Sequence, residues 1–376
     1  MAGDLVIRNG RVIDPASGID RVADVVIEGG RIAGLDVGAP VGAKVVDASG
    51  AIVTPGLIDL HTHVYWGGTS LGVAPDAYAL RSATTMLVDA GSAGPGNYRG
   101  FAEYVIAPAF TRILAYLHIS FAGIYAFSDR IMVGESHDMR LMAAREAAAV
   151  AREHADTVVG IKVRVGAHAS GPSGIAPLDV ALDAADELGL PLMVHIDEPP
   201  PSYGEVVSRL RPGDVLTHCF RPYPNAPVDG KGHVRPEILE ARERGVVFDI
   251  AHGKGSFSWK SARAALGQGF RPNVISSDVH ILNIDGPAYD NLHVMTKFMA
   301  LGWTLPEVVE AASAAPARAL GLPDLGHLRK GALGDVSVFR EVEGAVELED
   351  VLGETVPFDR RLTSVGIAVG GEWRAA

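Results

Sequence analysis

Apolar, strand-like runs recur through the middle of this chain with helix-like stretches between them, an alternation that few folds accommodate. The runs end near Leu60, Asp89, Ser120, Val163, Ile196, His218, Ile250 and Asp278. Between several of them lie Ala-, Glu- and Arg-rich segments, from Met139 to His154, Leu178 to Leu188 and Pro236 to Arg244. Strands that alternate with helices read as parallel βαβ units. Eight units over residues 54–325 predict an α/β fold, a (β/α)8 TIM-type barrel, which is usually built from about 250 residues. The helix-like run around Leu141 to Val150 is then a packing helix.

The two ends have a different texture. Leu5-Val6-Ile7, Arg11-Val12-Ile13, Val25-Val26-Ile27-Glu28, Arg31-Ile32-Ala33 and Ala51-Ile52-Val53 are short β runs. Asn9-Gly10 and Gly29-Gly30 stand between them, and such pairs read as hairpin turns because those turns need positive φ. The texture returns at Asp335 to Phe339, Val365 to Val369 and Gly370-Gly371. Residues 1–53 and 326–376 together are predicted to form one small β-sandwich domain beside the barrel.

Composition narrows the partners. With 376 residues, 48% of them hydrophobic, the chain can bury a large core and still carry a second small unit. The formal charge of -12, with no basic block or stripe, argues against a nucleic-acid partner. It leaves room for an anionic substrate, because bound cations invert the local field. The single cysteine, Cys219, permits no intrachain disulfide. No signal-peptide pattern opens the chain, and no apolar run approaches the ~18 residues of a membrane span. A soluble cytoplasmic protein, free or as a homo-oligomer, is the expectation.

The chemistry sits at the strand ends. In Pro55-Gly-Leu-Ile-Asp-Leu-His-Thr-His63 a β run closes on two imidazoles, and alternate strand residues share a face. Lys162 ends the fourth run, His195 the fifth, His218 the sixth and Asp278 the eighth. Active sites of such barrels lie at the C-terminal ends of the strands, so these six side chains would meet at one mouth. Lys162 lies in Thr157-Val-Val-Gly-Ile-Lys-Val-Arg164, a buried strand, where lysine is rare without a partner. An ion pair with a carboxylate is one reading. The other is a desolvated, neutral amine that takes up CO₂ as a carbamate and bridges two cations. The imidazoles around it favour the carbamate.

This pattern resembles the amidohydrolase superfamily over nearly the whole chain, from the N-terminal β segment to Lys330-Gly-Ala-Leu-Gly-Asp335. The resemblance implies a hydrolase with a binuclear site, usually zinc. His61, His63 and Asp278 would hold the buried ion, and His195 and His218 the second. Carboxylated Lys162 and a hydroxide would bridge them, and Asp278 would carry the proton.

Segments Gly94 to Phe101, Gly160 to Arg164, Thr217 to Phe220, Phe248 to Phe257 and Ser276 to His280 resemble the deacetylase-like branch. That resemblance implies deacylation of small N-acetyl or O-acetyl carboxylates. Dihydroorotases and hydantoinases, the alternative, often carry an arginine or related polar group just after the second histidine; here the sequence is His63-Val-Tyr-Trp-Gly-Gly68. A scaffold without catalysis is the third reading. Asn97, Tyr98 and Arg99, in the loop after the second run, are candidate substrate contacts, together with Arg164, on the face of Lys162, and His252. His280 is a candidate support for Asp278. His118 reads as structural, and Cys219 as packing that faces away from His218.

Overall fold

The computed structural model describes residues 3–376. Among the described residues fifteen strands run in chain order: β1 (Leu5–Asp14), β2 (Ile19–Glu28), β3 (Arg31–Leu35), β4 (Lys44–Asp47), β5 (Ile52–Pro55), β6 (Leu57–Thr62), β7 (Thr84–Ala90), β8 (Arg112–His118), β9 (Val158–Val165), β10 (Leu192–Ile196), β11 (Val215–Leu216), β12 (Val247–Phe248), β13 (Val336–Glu349), β14 (Thr355–Val369) and β15 (Glu372–Ala375).

Strands β6 to β12 form one seven-stranded parallel sheet in sequential order. The sheet curls. Val274 bridges Asp249 just beyond β12, and Val279 bridges Thr62 of β6, both in parallel sense. Cross-strand register decides which residues share its inner side. Lys162 is paired with Met193 on one neighbour and with His118 on the other, and Arg164 is paired with His195. Met193 packs with Ile58, Leu60, Met86, Val88 and Tyr116 in one buried cluster. A second cluster, with Leu87, Leu117, Ile161, Val163 and Val194, packs against helices such as Ala176–Leu188. Strands buried on both faces explain the near-continuous apolar runs of the sequence.

The last three expected strand ends overrun the ladder. β11 and β12 are two residues each, and the segment ending at Asp278 makes isolated bridges in place of a strand. The cause is local: His218, Ala251 and Asp278 have φ of 66°, 39° and 52°, left-handed conformations that turn the chain out of the sheet. The helix expected from Met139 to His154 also divides, into a 3-10 turn at Met139–Leu141 and an α-helix at Ala144–Glu153, with Met142 extended between them.

Both chain ends enter one eight-stranded mixed sheet, ordered β15-β14-β13-β5-β1-β2-β3 with β4 beside β1. Gly29-Gly30 turns β2 into β3, as the sequence suggested. Asn9-Gly10 does not turn the chain. It is a bulge within β1, where register against β2 shifts between Ile7 and Gly10 and Asn9 takes φ 63°. The backbone N–H of Asn9 donates to Asp24 Oδ1 (3.0 Å), so a side chain replaces the ladder bond that the extra residue removes.

Asp335 ties the two sheets together. Its buried carboxylate accepts from Arg112 Nε (2.6 Å) and Nη2 (3.1 Å) on β8 and from the Gly370 N–H (2.8 Å) after β14. Asp335→Ala strands all three donors, and a loss of about 2–3 kcal/mol is expected in denaturant unfolding. An unchanged midpoint would show that the bonds are replaced by water at no cost.

Candidate metal centre

The C-terminal ends of the parallel strands carry a compact group of donors. His61 is the penultimate residue of β6, and His63 lies just past it. Asp278 is held beside them by backbone, since its N–H donates to His61 O (2.8 Å) and the His63 N–H donates to Val279 O (2.9 Å). Asp278 Oδ1 stands 3.4 Å from His61 Nε2 and 3.2 Å from His63 Nε2. Lys162 Nζ reaches within 3.5 Å of His61 Nε2. The His218 ring lies 5.1 Å from that of His61 and 4.5 Å from that of His195. Ligand atoms of His61, His218 and Asp278 lie within 4.8 Å of one another. All six residues that the sequence nominated as ligands line one cavity.

Two glycines leave the room for this. A Cβ on Gly253 would lie 2.3 Å from Asp278 Oδ2, and one on Gly91 would lie 2.6 Å from Lys162 Cγ. Both have positive φ, so the close approaches and the backbone conformation demand the same residue.

Burial sets the protonation states. Loss of solvent holds His61, His195 and His218 well below the usual imidazole range and His63 at about 3. These are neutral rings with a lone pair to give. Burial lowers the Lys162 amine to about 7, against the pull of Asp278, and raises the Asp278 carboxyl to about 6. Neighbours fix the tautomers. His218 Nδ1 donates to Ala251 O (2.8 Å), which leaves Nε2 free for the cavity. Thr217 Oγ1 donates to Asp249 Oδ2 (2.9 Å), so His61 Nδ1 donates to that same hydroxyl (2.7 Å) and presents Nε2 as an acceptor. His63 Nδ1 meets Ser92 Oγ at 2.9 Å.

Divalent ions fit this donor set. The cavity of about 30 Å³ has room for roughly two water-sized bodies. Among the described residues, His195 Nε2 is buried with no hydrogen-bond partner, a costly state that a bound group would relieve. Neutral imidazoles with one carboxylate suit zinc and its neighbours in the first transition row.

The other nominated residues divide. Arg164 lines the cavity beside Phe127 and His280. Asn97, Tyr98 and Arg99 do not. Asn97 braces its loop, accepting from the Gly94 N–H and donating to Ala122 O. Tyr98 is buried, with its hydroxyl on Thr157 Oγ1 (3.0 Å), and Arg99 faces solvent, paired with Glu103. His252 also lies outside the cavity lining. Its Nδ1 donates to Gly253 O, its Nε2 accepts from Lys297 Nζ (2.7 Å), and its ring stacks on Phe257. Neither the loop histidine nor the loop arginine reaches the cavity: His252 is bonded to Gly253 and Lys297, and Arg99 points to solvent. His118 pairs with Glu135 Oε1 (3.1 Å), and Cys219 is buried in the core.

Three groups escaped sequence reasoning. Asp249 receives Thr217 and Ser276 hydroxyls, and burial raises it to about 7. Asp59 takes Tyr78 and Ser277 hydroxyls and rises to about 6. Glu135, buried in a long loop, stands 3.4 Å from Arg164 Nε. The first two carried a signal, a carboxylate inside or at the end of an apolar run; Glu135 carried none.

The amidohydrolase family model matches residues 52–360. This chain belongs to the amidohydrolase family. It is a hydrolytic enzyme of a superfamily that generally uses a binuclear divalent metal centre. A deacetylase of Agrobacterium fabrum is 35% identical over 360 residues, covering 94% of this chain and 87% of its own. A solved structure described as an adenine deaminase superposes with TM-score 0.91 at 30% identity, over 100% of both chains. Another, described as a dihydroorotase, gives 0.89 at 32% identity over 99% of both.

Hydroxyl support of His61 has a measurable consequence. Thr217→Val keeps the volume and removes the bridge to Asp249, and chelator competition is expected to show metal affinity lowered about 10- to 100-fold. Unaltered affinity would mean that the imidazole is oriented by packing alone.

Proposed function

We propose that this enzyme is a binuclear metal-dependent deacylase of small N-acetyl or O-acetyl carboxylates. The observation that carries the reading is the convergence of four neutral imidazoles, one desolvated lysine and one carboxylate around a single cavity. In this reading Val274 and Val279 close the parallel sheet into a (β/α)8 barrel over residues 54–325, and residues 1–53 with 326–376 form the small β-sandwich domain.

His61, His63 and Asp278 would hold one ion and His195 and His218 the other, with zinc the natural candidate. Lys162 would bridge them as a carbamate: its neutral amine adds to CO₂ and releases one proton. Ions held there would supply Lewis-acid chemistry, lowering the pKa of a bound water and polarising an acyl carbonyl. The protein's own groups do the rest. Asp278 takes the proton of the attacking water and delivers it to the leaving nitrogen or oxygen, the general-base and general-acid role of a carboxylate beside the reacting atoms. Arg164 supplies the cation that grips the substrate carboxylate, a two-pronged contact that lysine would not reproduce. Its side chain is 10% exposed at the cavity wall, with Glu135 Oε1 3.4 Å from its Nε.

Similarity to the Agrobacterium deacetylase over most of both chains supports the acyl-acid assignment. The likeness to a structure described as a dihydroorotase favours a second reading, hydrolysis of a cyclic amide. A screen of N-acetyl and O-acetyl acids of both hands, with dihydroorotate and hydantoin beside them, separates the two. Turnover of the acyl acids is expected; turnover of the cyclic amides alone would replace the proposal.

Asp278→Asn is expected to lower kcat by about 10²- to 10⁴-fold. Near-normal turnover would remove Asp278 from proton transfer. Lys162→Ala is expected to lose the paired metals, and wild-type protein reconstituted without CO₂ should take up less metal. Two metals and full rate in Lys162→Ala would rule out the carbamate bridge.

A further inference from the structure

The cavity above the imidazoles, at about 30 Å³, is roughly tenfold smaller than the ~300 Å³ at which small-ligand sites begin. Seating a whole acyl acid inside it, rather than at its solvent-facing side, requires one wall to move. Beyond the donors and Arg164, that wall consists of Leu71, Phe127 and His280. Leu71 and the His280 segment are tied to one another, since the Ile281 N–H donates to Leu71 O (2.9 Å) and the His280 N–H donates to Asn283 Oδ1 (2.9 Å).

Phe127 stands on a different kind of support. The chain is anchored at buried Ile124, whose N–H donates to Gly91 O (3.2 Å), and again at buried Ser136, whose N–H donates to Ala169 O (3.1 Å). Between those anchors a small hairpin closes on itself through Ser128 N–H to Ile131 O (2.9 Å) and Val133 N–H to Ala126 O (3.0 Å). Its outer side is bare: Ile131, Met132 and Val133 are 63%, 57% and 57% exposed. Ser70, a single exposed hydroxyl, clasps it to the neighbouring loop, meeting Tyr125 O (2.7 Å), Phe127 O (2.9 Å) and the Phe127 N–H (3.1 Å). A self-contained hairpin with fixed ends and one side-chain clasp is a low-cost element to swing.

We propose that residues 125–134 are a lid over the metal centre and that Phe127 is its specificity-determining residue. The Phe127 ring lies 5.3 Å from Arg164 Cζ and 5.4 Å, edge to face, from the His280 ring. A substrate whose carboxylate is held by Arg164 therefore lays its neighbouring substituent against Phe127. The class selected is an acyl acid with an aryl or bulky alkyl group next to the carboxylate. Glu135, at the base of the lid, meets both Arg164 Nε (3.4 Å) and His118 Nε2 (3.1 Å), so lid and anion grip share one mounting. The substrate class rests on the deacylase reading; the lid itself does not.

The test uses metal-loaded enzyme with phenylacetate and acetate as unreactive probes. Amide hydrogen exchange is expected to slow across 125–134 with phenylacetate and to change little with acetate. Phe127→Ala is expected to weaken phenylacetate about tenfold or more and leave acetate unchanged. Phe127→Leu, which keeps an apolar side chain, should fall between. Ser70→Ala is expected to speed exchange in the same segment without a probe. Equal protection by both probes, or protection confined to other segments, overturns the lid. Protection of 125–134 in an enzyme that cleaves no acyl acid would keep the lid and discard the reaction. Acyl-acid turnover with the same aryl-to-methyl ratio of kcat/KM in Phe127→Ala would keep the reaction and discard Phe127 as its selector.

Discussion

Desolvation is the constraint from which the site follows. Lys162 and four imidazoles share the inner mouth of a curled sheet, where a cation without a partner is costly and the neutral base is the stable form. The same burial raises Asp278 at the mouth, and Asp249 and Asp59 behind it. The fold maintains these states by supplying a hydroxyl or carbonyl for the ring nitrogens of His61, His63 and His218 that do not face the cavity. Thr217 and Asp249 show the pattern in series, a carboxylate orienting a hydroxyl that orients a ring.

Backbone conformation then aims the donors. Left-handed φ at His218 and Asp278, two residues with a Cβ, is unfavourable locally. It lets the chain leave the sheet at the strand end while the side chain stays over the mouth. Gly91 and Gly253 complete the arrangement by leaving out the atoms that Lys162 and Asp278 need to pass.

The donor set was legible in the sequence because each member ends an apolar run, and strand ends in βαβ repeats converge whatever the loops do. Lys162 was conspicuous for the same reason, a charge in a run that otherwise reads as core. Legibility failed where local chemistry permits two outcomes. Asn9-Gly10 suits a turn and a bulge equally, and only pairing of the whole of β1 with β2 chooses the bulge. Asn97, Tyr98, Arg99 and His252 sit in loops after the strands, and whether a loop side chain reaches the cavity depends on folding that spacing does not reveal; none of the four lines it. Phe127 and Glu135 had no sequence signal, since their positions depend on how a long loop folds back over the strands. The family likeness fixes architecture and reaction type in much the same way: it follows the strands, while relatives described as deacetylase, adenine deaminase and dihydroorotase differ in what they act on.

We propose a pair of divalent ions bridged by a modified Lys162 as the heart of the site. Anomalous diffraction from metal-loaded crystals, collected across the absorption edge of the bound element, addresses it directly. Two peaks are expected, one within bonding distance of His61, His63 and Asp278 and the other of His195 and His218, with carbamate density on Lys162 Nζ between them. A cavity without peaks after loading, or a bare Lys162 amine paired with a carboxylate, would contradict it.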